Sequence, residues 1–210
     1  SGAVFNEDSA DVDFRVESNG NANMIRVDGG NDRVGIGEST PTKTLSVLGD
    51  AIIKNTVDGT YLTLHSTQAN NASGPDIILF RDSASPADSD STGSITFQGK
   101  NDAAQDVGYA NINSLIEDAS DGTEDGMLIF KTMVDGTARS RIAMTTGSGT
   151  VFNEDGQDLD FRVESDGNQH ALFVRGSDGN VGIGDSSPSK KLDVYQSTTG
   201  IGVADFRHVN

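Results

Sequence analysis

Residues 1–47 and 148–194 align without a gap at a constant offset of 147, with 27 identities in 47 positions. SGAVFNED returns as SGTVFNED, DVDFRVESNGN as DLDFRVESDGN, and VGIGESTPTKTLSV as VGIGDSSPSKKLDV. An internal repeat this close restricts the fold more than any composition, because whatever unit one copy forms the other must form as well. The repeat predicts four parts: a cassette over 1–49, an insert domain over 50–147, a second cassette over 148–196, and the opening of a further unit over 197–210. The spacing predicts a piece of a longer array.

Both cassettes read as strands. Val12, Phe14 and Val16 alternate with Asp13, Arg15 and Glu17, the period of a half-buried strand. Asn19-Gly20 follows, or Asp166-Gly167 in the second copy, and then another apolar run through Met24, Ile25 and Val27. Asn-Gly or Asp-Gly between two such runs predicts a hairpin. In the insert, candidate strands fall at 51–56, 60–67, 75–82, 94–99, 107–117, 127–134 and 138–145. Clusters rich in Asp, Gly, Asn and Ser separate them, as turns that need positive φ or side-chain bonding to their own backbone require. No window carries a capped 3.6-residue period. The expected class is all-β: an antiparallel β domain flanked by two hairpin cassettes.

A cassette of 47 residues offers about a dozen large apolar side chains, few for a unit this small to stand alone. Such units stack on neighbours or associate with copies of themselves. Closed cyclic symmetry satisfies every interface, so an elongated homotrimer around a threefold axis is the economical solution. The segments Val34-Gly35-Ile36-Gly37 and Val181-Gly182-Ile183-Gly184 are the candidates for that axis. Branched apolar residues alternate there with residues lacking a side chain, as close backbone approach demands.

Charge and missing residue types exclude other classes. The chain carries 15 Lys and Arg against 32 Asp and Glu, a net charge of −17. It would repel phosphate backbones, so nucleic acid is not an expected partner. No apolar run approaches the roughly 18 residues of a membrane span, and no basic segment precedes an apolar stretch, so neither insertion nor a signal peptide is expected. Without cysteine there are no disulfides or thiolate metal sites. The three histidines, His65, His170 and His208, lie far apart and read as surface residues. Asp88, Asp90 and Gly93 imitate the first half of a calcium loop, but its twelfth position is Gly99 rather than a bidentate Glu. Gly93, Gly99 and Lys100 are one residue too widely spaced for a phosphate loop, and Asn101 replaces its hydroxyl. No cofactor, metal or catalytic set is expected.

The cassette ending in VGIGDSSPSKKLDV, preceded by FRVESDGN, resembles one that recurs in bacteriophage tail fibres and related trimeric adhesins. The stretches DIILFRDSASPADSDSTGSITFQGKND and IEDASDGTEDGMLIFKTMVDG are similar to tail-fibre segments too. The resemblance implies a homotrimeric fibre shaft with an interleaved β-rich domain, often upstream of a self-cleaving intramolecular chaperone. It implies a non-enzymatic spacer in the extracellular part of a virion that also attaches to a host-surface glycan or protein. The loops 83–93, 101–105 and 118–126 are the candidate contact surfaces, since polar loops on a rigid scaffold carry function; the favoured reading is that they are solvated turns of a spacer. Two other readings stay open: a polysaccharide-degrading fibre module and a calcium-dependent bacterial surface adhesin.

Overall fold

A computed structural model describes residues 4–6, 8–54, 56, 58–69, 71 and 74–196. All regular structure among them is strand, and no helix there is long and apolar enough to cross a membrane. The chain divides into two compact units, Ser1–Asp76 and Ile77–Asn210.

The first unit holds a four-stranded sheet: β1 (Phe14–Val16), β2 (Ile25–Asp28), β3 (Arg33–Ile36) and β4 (Leu45–Val47), in that spatial order. β1–β2 and β2–β3 pair antiparallel, while β3–β4 pair parallel. Parallel neighbours normally need a crossover of a dozen or more residues, yet only residues 37–44 join β3 to β4. This short connection holds because it is bonded back onto β3. The Val34 amide donates to Thr44 O at 2.8 Å and the Leu48 amide to Ile36 O at 2.9 Å. The Arg33 guanidinium donates to Pro41 O at 2.9 Å.

The second unit contains a five-stranded antiparallel meander, β5 (Ser91–Lys100), β6 (Asp106–Asp118), β7 (Asp125–Val134), β8 (Thr137–Thr145) and β9 (Gly149–Phe152). Four of these match the expected strands at 94–99, 107–117, 127–134 and 138–145 within a few residues. β9 has no counterpart among the expected strands. It is the start of the second copy, pairing Val151 with Ala143 and Phe152 with Ile142, so the meander runs across the sequence boundary at 147. A second four-stranded sheet follows: β10 (Phe161–Ser165), β11 (Asn168–Val174), β12 (Val181–Ile183) and β13 (Leu192–Val194). It has the strand order of the first sheet and the same parallel last pair.

The two four-stranded sheets share contacts at the offset of 147. Phe14 packs against Phe5 with ring centroids 5.2 Å apart, and Phe161 against Phe152 at 5.1 Å. Asn6 and Asn153 both take positive φ, 64° and 63°, and each amide side chain bridges to the backbone four residues on. The Gly29 and Gly176 amides donate to the carboxylates of Asp13 and Asp160. Pro41 and Pro188 are both buried. Where Arg33 holds the Pro41 carbonyl, Pro188 O accepts from the Arg175 guanidinium at 2.7 Å and from the Asn180 amide at 3.2 Å. A guanidinium thus holds the proline carbonyl in both sheets, from a different position in each.

The expected strands at 51–56, 60–67 and 75–82 are not strands in the single chain; Asn55 lies outside the described residues. Their apolar side chains stand in solvent, Ile52 at 87% and Ile78 at 82% exposure. Alternation marks a capacity to pair, and a ladder also needs a second strand, which this chain by itself does not place beside them.

Candidate functional site

The cassette sheets have one apolar face each. Residues opposite one another in a ladder share a face. The register sets Phe14 against Val27 and Val16 against Ile25. Val27 and Ile25 in turn face Val34 and Ile36, which face Leu45 and Val47. Eight large apolar side chains therefore cover one side. In the second sheet Phe161, Val163, Leu172, Val174, Val181, Ile183, Leu192 and Val194 take the corresponding places. The other side of the first sheet carries Arg15, Arg26, Gly35 and Ser46 in one row, with Arg26 paired to Asp13 at 2.7 Å.

These faces are not covered by the chain. Ile25, Ile36 and Ile183 are 42%, 41% and 38% exposed, and Leu45 and Leu192 more so. The only buried large hydrophobic side chain among the described residues is Phe173, on the opposite side of its sheet and in edge contact with His170 at 5.1 Å. His170 is thus half-buried against a ring, while His65 is exposed and His208 lies outside the described residues. Contiguous open apolar surface of this kind marks an interaction face.

The axis candidates divide between the two sides. Val34, Ile36, Val181 and Ile183 belong to the apolar face. Gly35 and Gly182 point the other way, toward the chain's own tight connection. A Cβ on Gly35 would sit 2.7 Å from Glu38 O, and one on Gly182 2.4 Å from Asp185 O. Gly37 and Gly184 have φ of 72° and 69°, and a Cβ there would meet Leu48 O at 2.8 Å and Tyr195 O at 2.7 Å. Close backbone approach does account for all four glycines, and the backbone that approaches is their own chain's. It is the short parallel crossover that needs them.

Two of the three candidate contact loops converge. The Ser89 amide donates to Ile116 O and the Ile116 amide to Asp90 O, both at 2.8 Å. The Ala119 amide donates to Asp88 Oδ1 at 2.9 Å. Loops 83–93 and 118–126 thereby border an open cleft of about 470 Å³, lined by Pro86, Leu115, Ile116, Asp118 and Glu124 among others. Loop 101–105 caps the other end of β6, closed by Asn101 and Gln105 bonding each other. The calcium-like carboxylates have structural duties here: Asp88 holds Ala119, and Asp90 accepts from the Ala87 amide and pairs with Arg81 at 3.1 Å. Backbone amides of Ser120 hold the Asp118 carboxyl below the usual range, and the amides of Glu124 itself and Gly122 do the same for Glu124.

The turn entering β12 makes a pH prediction. Hydrogen bonds from the Arg175 guanidinium, and then from the Asn180 amide, hold the Asp178 carboxyl below its ordinary value. A carboxyl lowered by folding adds stability above its unfolded value, near 4, and that stability is lost as pH falls through the folded value. Carboxyl-detected titration is expected to show Asp178 ionising below the ordinary aspartate value. Arg175→Ala should move it up toward that value. Unchanged titration in that variant would mean that the ion pair does not form in solution.

No family model matches the chain, and no curated protein matches it.

Proposed function

We propose that this chain is a non-enzymatic structural and adhesive segment of a phage tail fibre, a homotrimeric spacer on the outside of a virion. The observation that carries this reading is the pair of eight-residue apolar faces left open on sheets that recur at an offset of 147. Full burial of a Val, Leu, Ile or Phe side chain contributes roughly 1.5–3 kcal/mol. Covering the remaining ~40% of eight such side chains in the first cassette contributes on the order of 5–10 kcal/mol by the same scale, and less in the second, where only Val163, Ile183 and Leu192 are that exposed. A threefold arrangement lets three such faces close on one another.

Electrostatics opposes assembly, since three chains bring 3 × −17 = −51 charges. Salt screens them over about 8 Å at physiological strength, and the apolar face carries no aspartate. In this reading the cassettes are connectors and the meander presents three identical sets of loops, so weak contacts to a host-surface glycan or protein gain avidity. The cleft between loops 83–93 and 118–126 is the favoured place for that contact. Sedimentation equilibrium at micromolar concentration in moderate salt is expected to give three times 22.0 kDa, with weaker association as salt is lowered. A species of 22 kDa under those conditions would overturn the reading.

A further inference from the structure

The apolar run Ile77-Ile78-Leu79-Phe80 belongs to neither cassette sheet. It is one of two runs of four large apolar residues in the chain; the other, Met127-Leu128-Ile129-Phe130, lies in the middle of the meander, with Leu128, Ile129 and Phe130 paired on both sides. Residues 77–80 belong to no strand, turn or bend, and their exposures are 69%, 82%, 50% and 80%. Among the described residues no backbone–backbone hydrogen bond engages residues 74–82. Water alone then serves the peptide groups of a segment whose side chains disfavour water. Ladder-ready backbone with β-prone apolar side chains is a template for strand addition.

One side of the run is already seated. Leu79, the least exposed of the four, lies over Gly93 of β5, where an added Cβ would meet it at 2.7 Å. Just beyond, Arg81 bonds Ser91 O at 3.2 Å and pairs with Asp90. Ile78 and Phe80 are the most exposed of the four, the alternation expected of a strand with Leu79 turned toward β5.

We propose that residues 77–80 are a strand completed only between copies of this chain, with Ile78 and Phe80 meeting their counterparts in the neighbouring copies. This rests on the trimeric reading and names a second contact within it. The area argues for copies. The accessible surface is 16228 Å², whereas two separately folded units of about 8 and 14 kDa would expose roughly 11,000 Å². The surplus, roughly 5,000 Å², is spread over the whole chain, residues outside those described included, and is several times the ~800 Å² that each partner gives to a standard interface. Charge argues likewise. In a chain of −17, like surfaces meet most readily where charge is least; the run itself is uncharged, Asp76 and Asp82 flank it, and the adjoining Arg81 is paired with Asp90 of its own chain.

Because the chain has no cysteine, a single introduced thiol reports the contact without interference. Ile78→Cys, oxidised as the native assembly, is expected to run as a two-chain disulfide species on a non-reducing gel. Asp102→Cys, in the loop at the far end of the β5–β6 hairpin, should stay single-chain. Hydrogen exchange on the unsubstituted protein provides a readout that does not depend on the variant folding. The amides of residues 77–80 should exchange at least a hundredfold more slowly than expected for exposed chain. Fast exchange at 77–80, or no Ile78→Cys cross-link, in a protein that still sediments as a trimer would overturn this inference and leave the trimeric reading intact. A single-chain mass would overturn both.

Discussion

Replacing Ile36 and Ile183 together by Asp is expected to convert the assembled protein into single chains at micromolar concentration. Each isoleucine sits in the middle of its apolar face, flanked in register by Val47 on β4 and by Val194 on β13. In the proposed trimer the substitution sets three carboxylates together at each of two levels. An ionised carboxylate removed from water without a partner costs several kcal/mol, and like charges held together add to that. Against on the order of 5–10 kcal/mol from covering the first cassette face, and less from the second, two such levels are enough to prevent assembly. Within one chain both positions are about 40% exposed, so Asp can hydrate there and the sheets should persist. The expected result is a threefold fall in sedimentation mass with the far-ultraviolet strand signal largely retained. An unchanged mass would show that these faces do not meet.

Gly35→Ala combined with Gly182→Ala should destabilise both cassettes, whether or not the chains are assembled. The added methyl groups would fall 2.7 and 2.4 Å from backbone carbonyls, and those carbonyls belong to a connection already tied at Val34, Leu48 and Arg33. Overpacking of this kind typically costs 1–3 kcal/mol at each site. By the usual scaling for small domains that lowers Tm by about 4–8 °C per kcal/mol. The hairpin glycines Gly20 and Gly167 have open space around them, so Ala at those positions serves as a control with a small effect. The decisive comparison uses the Ile36→Asp, Ile183→Asp background. A clash within one chain keeps its full effect there, whereas crowding between copies would vanish with the assembly.

Much of this architecture could be read from local chemistry. Alternation in 12–17 and the Asn-Gly and Asp-Gly pairs predicted the β1–β2 and β10–β11 hairpins, because period-2 patterning and turn-forming residues are properties of a few adjacent residues; Asn19, Gly20, Asp166 and Gly167 do so without taking positive φ. The offset of 147 predicted that Phe14 and Phe161 share an environment, and each packs against an aromatic ring nine residues upstream. The cleft loops were recognisable as polar turns. That 83–93 joins 118–126 while 101–105 lies at the other end of β6 follows from the meander register, which no single loop encodes.

Other features depend on partners far away in the chain or outside it. The parallel β3–β4 pair was hidden because an eight-residue connection is too short for an ordinary crossover; only the bonds from Val34, Leu48 and Arg33 back across it make it viable. The glycines of Val-Gly-Ile-Gly were legible as sites of close approach, but which backbone approaches is a tertiary matter, decided here by the carbonyls of Glu38 and Asp185. Strand β9 was missed because 149–152 carries no long alternating run; it is a strand through the free edge of β8 beside it. The segments around Ile52, Leu62 and Ile78 show the converse, with strand-forming residues and no strand. Side-chain alternation and turn chemistry act over a few residues and therefore survive in the bare sequence. Pairing is a relation between two segments, and it exists only where the fold, or a neighbouring copy, brings the second one into reach.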